Sequence, residues 1–394
     1  MEEHVVHMSE TAWSRGHRVL LALAILSWLA CAAGYASDPR QFHASYLVSF
    51  AYFLTIAVGA AFFLMVWHLS GAAWSVTVRR LMENVMITLP LMPILFLPVV
   101  AGLPSLYEWA RPEFLSQDPV LQVKMVFFNR TFFLARAALY FLVWSVLAVA
   151  LYRKSVAQDE HGSVQLIRQT VAWSAPGLAL LMITVTMAAV DWLMSLEPHW
   201  YSTIFGVYVF SGGGLAFLAA LIGISLAFRR GGLLADSIHV EHYHDLGRWL
   251  FALVVFWAYI AFSQYLLIWY ANLPEETVWF RHRLEGNWAW VSASLLAGNF
   301  IIPFLLLIAR AAKRNLRLLG AVSVLLLLMH YIDLHWVVMP TVHPHGFHLH
   351  WLDLAAFTGV GSACGLVFWS RLRRRALIPL GDLRLGRALR HQTE

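Results

Sequence analysis

Two cysteines stand in 394 residues, and only 13% of the side chains are charged. The scarcity of cysteine excludes an iron–sulfur cluster and a cysteine-rich zinc site, and no C-x-x-C-H run is present to attach haem covalently. Cys31 and Cys364 each sit alone in an apolar run, so metal redox chemistry is left to partner chains. The scarcity of charge, set beside 60% apolar and 14% aromatic residues, excludes an ordinary water-soluble globule. A convincing small-residue cleavage signature is also lacking after the first apolar run, which follows Arg15 and Arg18. That run reads as a retained helix rather than a removed signal peptide.

Long apolar runs are what the chain has in abundance. A hydrocarbon core of roughly 30 Å takes about 20 apolar residues per helix. Runs of that order recur at 18–36, 44–68, 82–102, 128–152, 170–194, 203–228, 248–271, 288–309, 316–338 and 349–370. The reading is an all-α polytopic membrane protein with about ten transmembrane helices, residues 1–394 forming a single integral membrane domain. Two successive four-helix bundles are expected, helices 2–5 over 43–194 and helices 6–9 over 203–338. Helices 1 and 10 flank them, and a basic tail occupies 371–394. The suggestion of a repeat comes from His43 and Tyr46 opening one bundle and His199 and Tyr201 the other. Tyr52 and Tyr208, and Thr55 and Ser211, follow at the same offset as His43 and His199. Four helices per copy would leave both copies in one orientation, related about an axis along the membrane normal.

Ten crossings put both termini on one side of the membrane. That side carries 21 Lys and Arg, among them Arg79, Arg80, Arg153, Lys154, Arg229, Arg230, Lys313, Arg314, Arg371, Arg373, Arg374 and Arg375. The opposite side has six: Arg40, Arg111, Lys124, Arg130, Arg281 and Arg283. Basic residues concentrate on the cytoplasmic side of membrane proteins, so both termini are expected in the cytoplasm, with the chain in a bacterial inner membrane. The pI near 9.4 then reports orientation rather than nucleic-acid binding. Acidic residues gather on the other side, at Glu108, Glu113, Asp118, Glu197, Glu275, Glu276 and Glu285. Two long connections there, near 103–125 and 272–286, offer docking ground for an extracytoplasmic partner.

Helix 3 contains Pro90, Pro93 and Pro98, with Pro104 beyond its end. Each removes a backbone donor, so nearby carbonyls need water or neighbouring side chains; the kinks either border a polar cavity or are absorbed by packing. The run Ser211, Gly212, Gly213 and Gly214 in helix 6 serves either close helix contact or a ligand-sized groove.

A charge at mid-bilayer costs at least roughly 2.5–3.5 kcal/mol, so ionisable groups inside the spans carry the most information. Arg136 of helix 4 shares a face with Asn129, Phe133 and Tyr140, and Asp191 near the end of antiparallel helix 5 is its natural counter-charge. Glu197 and His199 follow in the next loop. Asp191 either pairs structurally with Arg136 or exchanges protons with a bound ligand. In the helix-9 stretch MHYIDLHW, His330 and Asp333 share one face and Tyr331 and His335 another. An Asp accepting from a His holds the imidazole in one tautomer and poises it for proton transfer; the alternative is a hydrated interfacial group. Tyr259, Ser263 and Gln264 of helix 7, with Ser292, Ser294 and Asn299 of helix 8, either extend a polar path inward or join helices. Non-covalent haem would need two facing axial histidines at one depth, and only His330 lies well inside, so no haem or metal is expected on this chain.

The segments HASYLVSFAYFLTIAVGAAFF, WSVTVRRLMEN, DWLMSLEPHWYSTIFG and YLLIWYANLPEET, with the basic tail, resemble the membrane components of alternative complex III. That complex has two NrfD-like membrane chains, and the resemblance is to the one other than that to which the better-supported quinol site belongs. Both lie within the wider NrfD-like family of quinone-associated membrane proteins. The resemblance runs from about 41 to 340. It implies ten helices in two four-helix bundles and membership of a quinol:electron acceptor oxidoreductase of bacterial respiration or photosynthesis. Iron–sulfur clusters and haem c would reside in an iron–sulfur subunit and multihaem cytochrome c subunits, beside a second NrfD-like membrane subunit. Quinone or quinol would be a substrate rather than a bound cofactor, and the chain would support quinol binding or proton transfer without its own redox centre. The motif match carries over Asp191, Glu197 and His199 only. A secondary transporter, and the NrfD-like quinone-binding anchor of a molybdenum reductase, are the competing readings.

Overall fold

The computed structural model describes residues 7–111, 113, 118–344, 346–373 and 375–392. Arg374 of the tail cluster and residues 112 and 114–117 of the first long connection lie outside the described residues. Among those described, ten helices are long and apolar enough to cross a membrane and no strand occurs, so the chain is an all-α, multi-pass membrane protein. The helices are α1 (Glu10–Ser37), α2 (Pro39–Leu69), α3 (Val76–Ala101), α4 (Arg130–His161), α5 (Val164–Leu196), α6 (Phe205–Arg230), α7 (Val240–Ala271), α8 (Trp288–Leu307), α9 (Leu316–Thr341) and α10 (Trp351–Arg371).

Local chemistry sets the breaks between them. Asp38 ends α1 and caps α2, accepting from the Gln41 amide while Pro39 occupies the first turn. Between α4 and α5 the chain reverses in two residues: Gly162 at φ +55° closes one helix and the Ser163 hydroxyl caps the next. The prolines of α3 divide it after Met86 into short helical turns, Leu89–Leu91, Met92–Leu95 and Leu97–Ala101. Packing absorbs the breaks: the Tyr46 hydroxyl donates to the Leu95 carbonyl at 2.7 Å, and Phe96 lies against Trp192 and Phe50.

At the centre are α2 and α6, almost wholly buried. They cross in backbone contact. A Cβ on Gly213 would fall 2.6 Å from that of Thr55, and one on Gly59 would fall 2.7 Å from that of Phe217. The glycine run of α6 therefore serves close approach at Gly213. Around this pair the neighbours correspond: α2 meets α3 and α5 as α6 meets α7 and α9, and α5 rests on α6 as α9 rests on α2. The α1–α10 pair lies against α2.

The two ends of the transmembrane region meet. Trp13 Nε1 donates to the Trp369 carbonyl at 3.0 Å, and Trp369 Nε1 donates to that of Trp13 at 2.9 Å. This is the terminal face; the opposite one is the distal face. On the terminal face the basic tail is no free arm. Asp382 pairs with Arg79 and Arg384, Gln158 donates to the Gly381 carbonyl, and His391 lies 2.6 Å from Asp245 at the start of α7. Leu377 and Ile378 are buried, so the segment straps α3 and α4 to α7. Beneath it Arg80 and Glu83, both fully buried, are joined by Ser155 and Asp159 of α4.

Candidate functional site

The intramembrane charge on α4 meets the acid of α5. Arg136 donates from Nε to Asp191 Oδ2 and from Nη2 to Oδ1, both at 2.8 Å, and the Tyr140 hydroxyl donates to Oδ2 at 2.7 Å. The guanidinium also donates to the Phe127 carbonyl and lies 3.9 and 4.2 Å from the ring centres of Phe127 and Phe132. Asp191 is 1% exposed and accepts three hydrogen bonds on two oxygens. A two-pronged charge pair of this kind fixes the helices relative to each other.

Glu197 and His199 diverge from Asp191 although six and eight residues separate them in sequence. Glu197 faces Arg283 at 2.8 Å and His282 at 3.5 Å; burial alone would raise its pKa, but the Arg283 guanidinium and the His282 hydrogen bond hold it below the ordinary glutamate value. Arg283, on the short helix Pro274–Leu284, is fully buried, donates to the carbonyls of Trp279, Trp336 and Val337, and stacks 3.8 Å over Trp279. It ties the 272–286 connection to the end of α9. His199 is exposed and pairs with Asp118 at 2.9 Å. Asp191, Glu197 and His199 thus have three separate sets of partners.

The α9 residues form two linked clusters. In the inner one Asp333 accepts from the Tyr208 hydroxyl and from Trp257 Nε1 at 3.3 Å. His330 shares a hydrogen bond of 2.9 Å with Thr55. The expected Asp333–His330 hydrogen bond is not formed: donors on α6 and α7 take the carboxylate, while α2 takes the imidazole. The Thr55 hydroxyl also lies 2.8 Å from the Ala51 carbonyl, and His330 Nδ1 is buried with no hydrogen-bond partner among the described residues. Gly212 makes room for both groups; a Cβ there would lie 3.2 Å from His330 Nδ1 and 3.4 Å from Asp333 Oδ2.

The outer cluster centres on Asp353, the acid in the first turn of α10. Ser45 donates to it at 2.6 Å, the His350 amide at 2.8 Å, and His335 Nε2 lies 3.7 Å away. Gln41 donates to Ser45 at 3.1 Å and accepts from His343 at 2.6 Å. His343 is partly exposed in the connection between α9 and α10, and burial together with His348 and His335 keeps its pKa below the ordinary imidazole value. Tyr331 donates to the Asp353 backbone at 3.4 Å, so Tyr331 and His335 do converge on one neighbour. The clusters touch through Tyr52, whose ring centre lies 5.3 Å from that of His330 and 5.9 Å from that of Tyr331.

Asp353, Ser45, Gln41, His343 and Trp257 did not stand out in the sequence, and Tyr208 stood out only as the repeat counterpart of Tyr52. The one available signal was Asp353 three residues after His350, a capping pattern at a helix start. Of the polar residues expected to extend a path, Tyr259 faces outward, Gln264 accepts from Ser202, and Ser292 accepts from Trp336. Asn299 lies in a π-helical turn, Leu296–Ile301, with its carbonyl oxygen buried and unpartnered. An apolar cavity between α2, α4, α5 and α6, lined by Leu54, Thr55, Trp144, Trp192 and Phe210, holds about 30 Å³, too little for a quinone ring. Comparison of the chain with protein-family models and with curated proteins returns no match.

Proposed function

We propose that this chain is a membrane subunit of a quinol-oxidising electron-transfer complex of the alternative complex III type, and that its part is proton transfer. The observation that carries the reading is the pair of linked clusters. Titratable groups are spaced from Asp333 and His330 in the bundle interior, through the ring contacts of Tyr52 and Tyr331, to Asp353, His335 and the partly exposed His343, with water needed to pass a proton between the two clusters. The asymmetry of basic residues supports a cytoplasmic terminal face and a periplasmic distal face in a bacterial inner membrane. The array then opens on the side where iron–sulfur and cytochrome c subunits would take the electrons of quinol.

Quinol oxidation releases protons with its electrons, and each proton needs an acceptor that can pass it on. His330 Nδ1 is a buried, unpartnered ring nitrogen beside Asp333, and Tyr208 and Trp257 orient the carboxylate. Gln41 has no acid proton to give; it holds His343 in register with Ser45 and Asp353, and water completes the transfer at the exposed end. The same chemistry serves a neutral quinone site in an adjoining subunit, which agrees with the small size of the cavity in this one.

Asp353→Asn, made in the assembled complex, tests this. Assembly is expected to survive, because the amide oxygen introduced at that position still accepts from Ser45, while turnover falls and its pH profile shifts. Wild-type turnover and proton release across pH in both Asp353→Asn and Asp333→Asn would overturn the proposal.

A further inference from the structure

On the terminal face a groove of about 720 Å³ opens between α4 and the α1–α10 pair, with Ile87 of α3 in its lining. Arg153, Arg371, Arg373 and Arg375 line it together with Trp13, Tyr152, Val149 and Val156. Two carboxylates answer this charge in part: Glu10 pairs with Arg373 at 2.8 Å and Glu160 with Arg375 at 3.5 Å. Arg371 lies 5.5 Å from the centre of the Tyr152 ring, and Arg153 has neither ion pair nor hydrogen bond among the described residues. The groove therefore keeps a surplus of about two positive charges.

Its surroundings are apolar. Along α3 beyond Ile87, Ile94 and Leu97 are 62% and 61% exposed, and on α4 Leu139, Leu142 and Val146 are exposed. A ligand suited to the groove has an anionic, phosphate-bearing head and a tail that continues into the hydrocarbon layer. We infer that the groove is a binding site for an anionic phospholipid of the leaflet on the terminal side. Arg153 and Arg371 supply the free charge, and Trp13 and Tyr152 sit at the depth of the headgroup. The inference goes beyond the proton-transfer reading and does not depend on it.

The purified full chain, placed in nanodiscs of phosphatidylcholine doped with cardiolipin or phosphatidylglycerol, is extracted and its retained lipid measured by native mass spectrometry. Wild type is expected to retain the anionic lipid in preference to phosphatidylcholine. Each basic group near an anionic headgroup contributes a factor of about 5, so Arg153→Gln with Arg371→Gln should weaken retention about 30-fold. Arg230→Gln with Arg317→Gln, exposed elsewhere on the same face, should leave it unchanged. Val149→Trp, which narrows the groove and leaves every charge in place, should also weaken retention. Undiminished retention in the arginine pair, or equal retention of phosphatidylcholine, overturns the proposal. Displacement of the lipid by inorganic phosphate alone would overturn the lipid assignment in favour of a phosphate site.

Discussion

Removing Arg136 leaves a buried carboxylate with a single remaining side-chain donor, the Tyr140 hydroxyl. Breaking a buried ion pair from one side costs about 3–5 kcal/mol, because the other charge stays behind in a medium that solvates it poorly. Arg136→Met should therefore lower the thermal midpoint of the detergent-solubilised chain and its assembled yield. Asp191→Leu should do the same to a smaller degree, since the orphaned guanidinium keeps the Phe127 carbonyl and two aromatic faces. Replacing both, with Arg136→Met and Asp191→Leu, removes the uncompensated charge; a buried pair exchanged for apolar residues is often neutral or stabilising. The double variant should then recover most of what either single variant loses, a coupling at least as large as the larger single loss, about 3–5 kcal/mol. Chemical or thermal unfolding of the four proteins measures the cycle, and turnover of the assembled complexes accompanies it. Additive losses would refute the structural role assigned to the pair. A stable double variant whose complex no longer releases protons would show that Asp191 carries protons itself, against the separation drawn between α5 and α9.

Gly213→Val should force α2 and α6 apart at Thr55 and destabilise the chain by about 1–3 kcal/mol or more, read as a lowered thermal midpoint; an unchanged midpoint would mean that the crossing is slack. Burial works to raise the pKa of Asp382, but Arg384 and Arg79 hold it well below the usual carboxylate range. Its contribution is thus complete above about pH 4 and is lost as pH falls through the depressed value; limited proteolysis should find the tail protected at neutral pH and cleaved in Asp382→Asn, and equal protection would argue against the strap. Single-cysteine labelling in intact cells should protect tail positions and label those near Glu275, with the reverse pattern refuting the orientation. The isolated chain should show no stoichiometric haem absorption, which a spectrum decides.

Hydropathy reported the ten spans because lipid demands it, yet it missed where helices continue beyond the lipid. The run expected at 248–271 begins at Val240 in the structure, since the polar stretch from Glu241 to Arg248 is helical and packs against the returning tail. The first run, expected from 18, begins at Glu10 for a similar reason, its opening turns held by Trp369 and Arg373. Arg136 and Asp191 were legible as partners because adjacent antiparallel helices leave few other counter-charges at that depth. His330 and Asp333 were legible as neighbours on one face, but spacing along α9 does not say which helix each side chain meets. Asp353 and Arg283 gain their importance from residues far away in sequence, Ser45 at 308 positions and Val337 at 54, and no local pattern encodes those contacts. The tail read as basic and therefore cytoplasmic; the buried acid Asp382, paired with Arg79, ties it back to α3.

The reciprocal indole bonds between Trp13 and Trp369 also bear on how the chain is made. They join residues 356 positions apart, and α1 finds its main partner only in α10. At about 5–20 residues per second, α1 waits about 20–70 s after its own synthesis before that partner emerges. Until then one side of α2 stays open to lipid or to the insertion machinery, so the last helix to enter the membrane closes a fold that the first helix cannot complete.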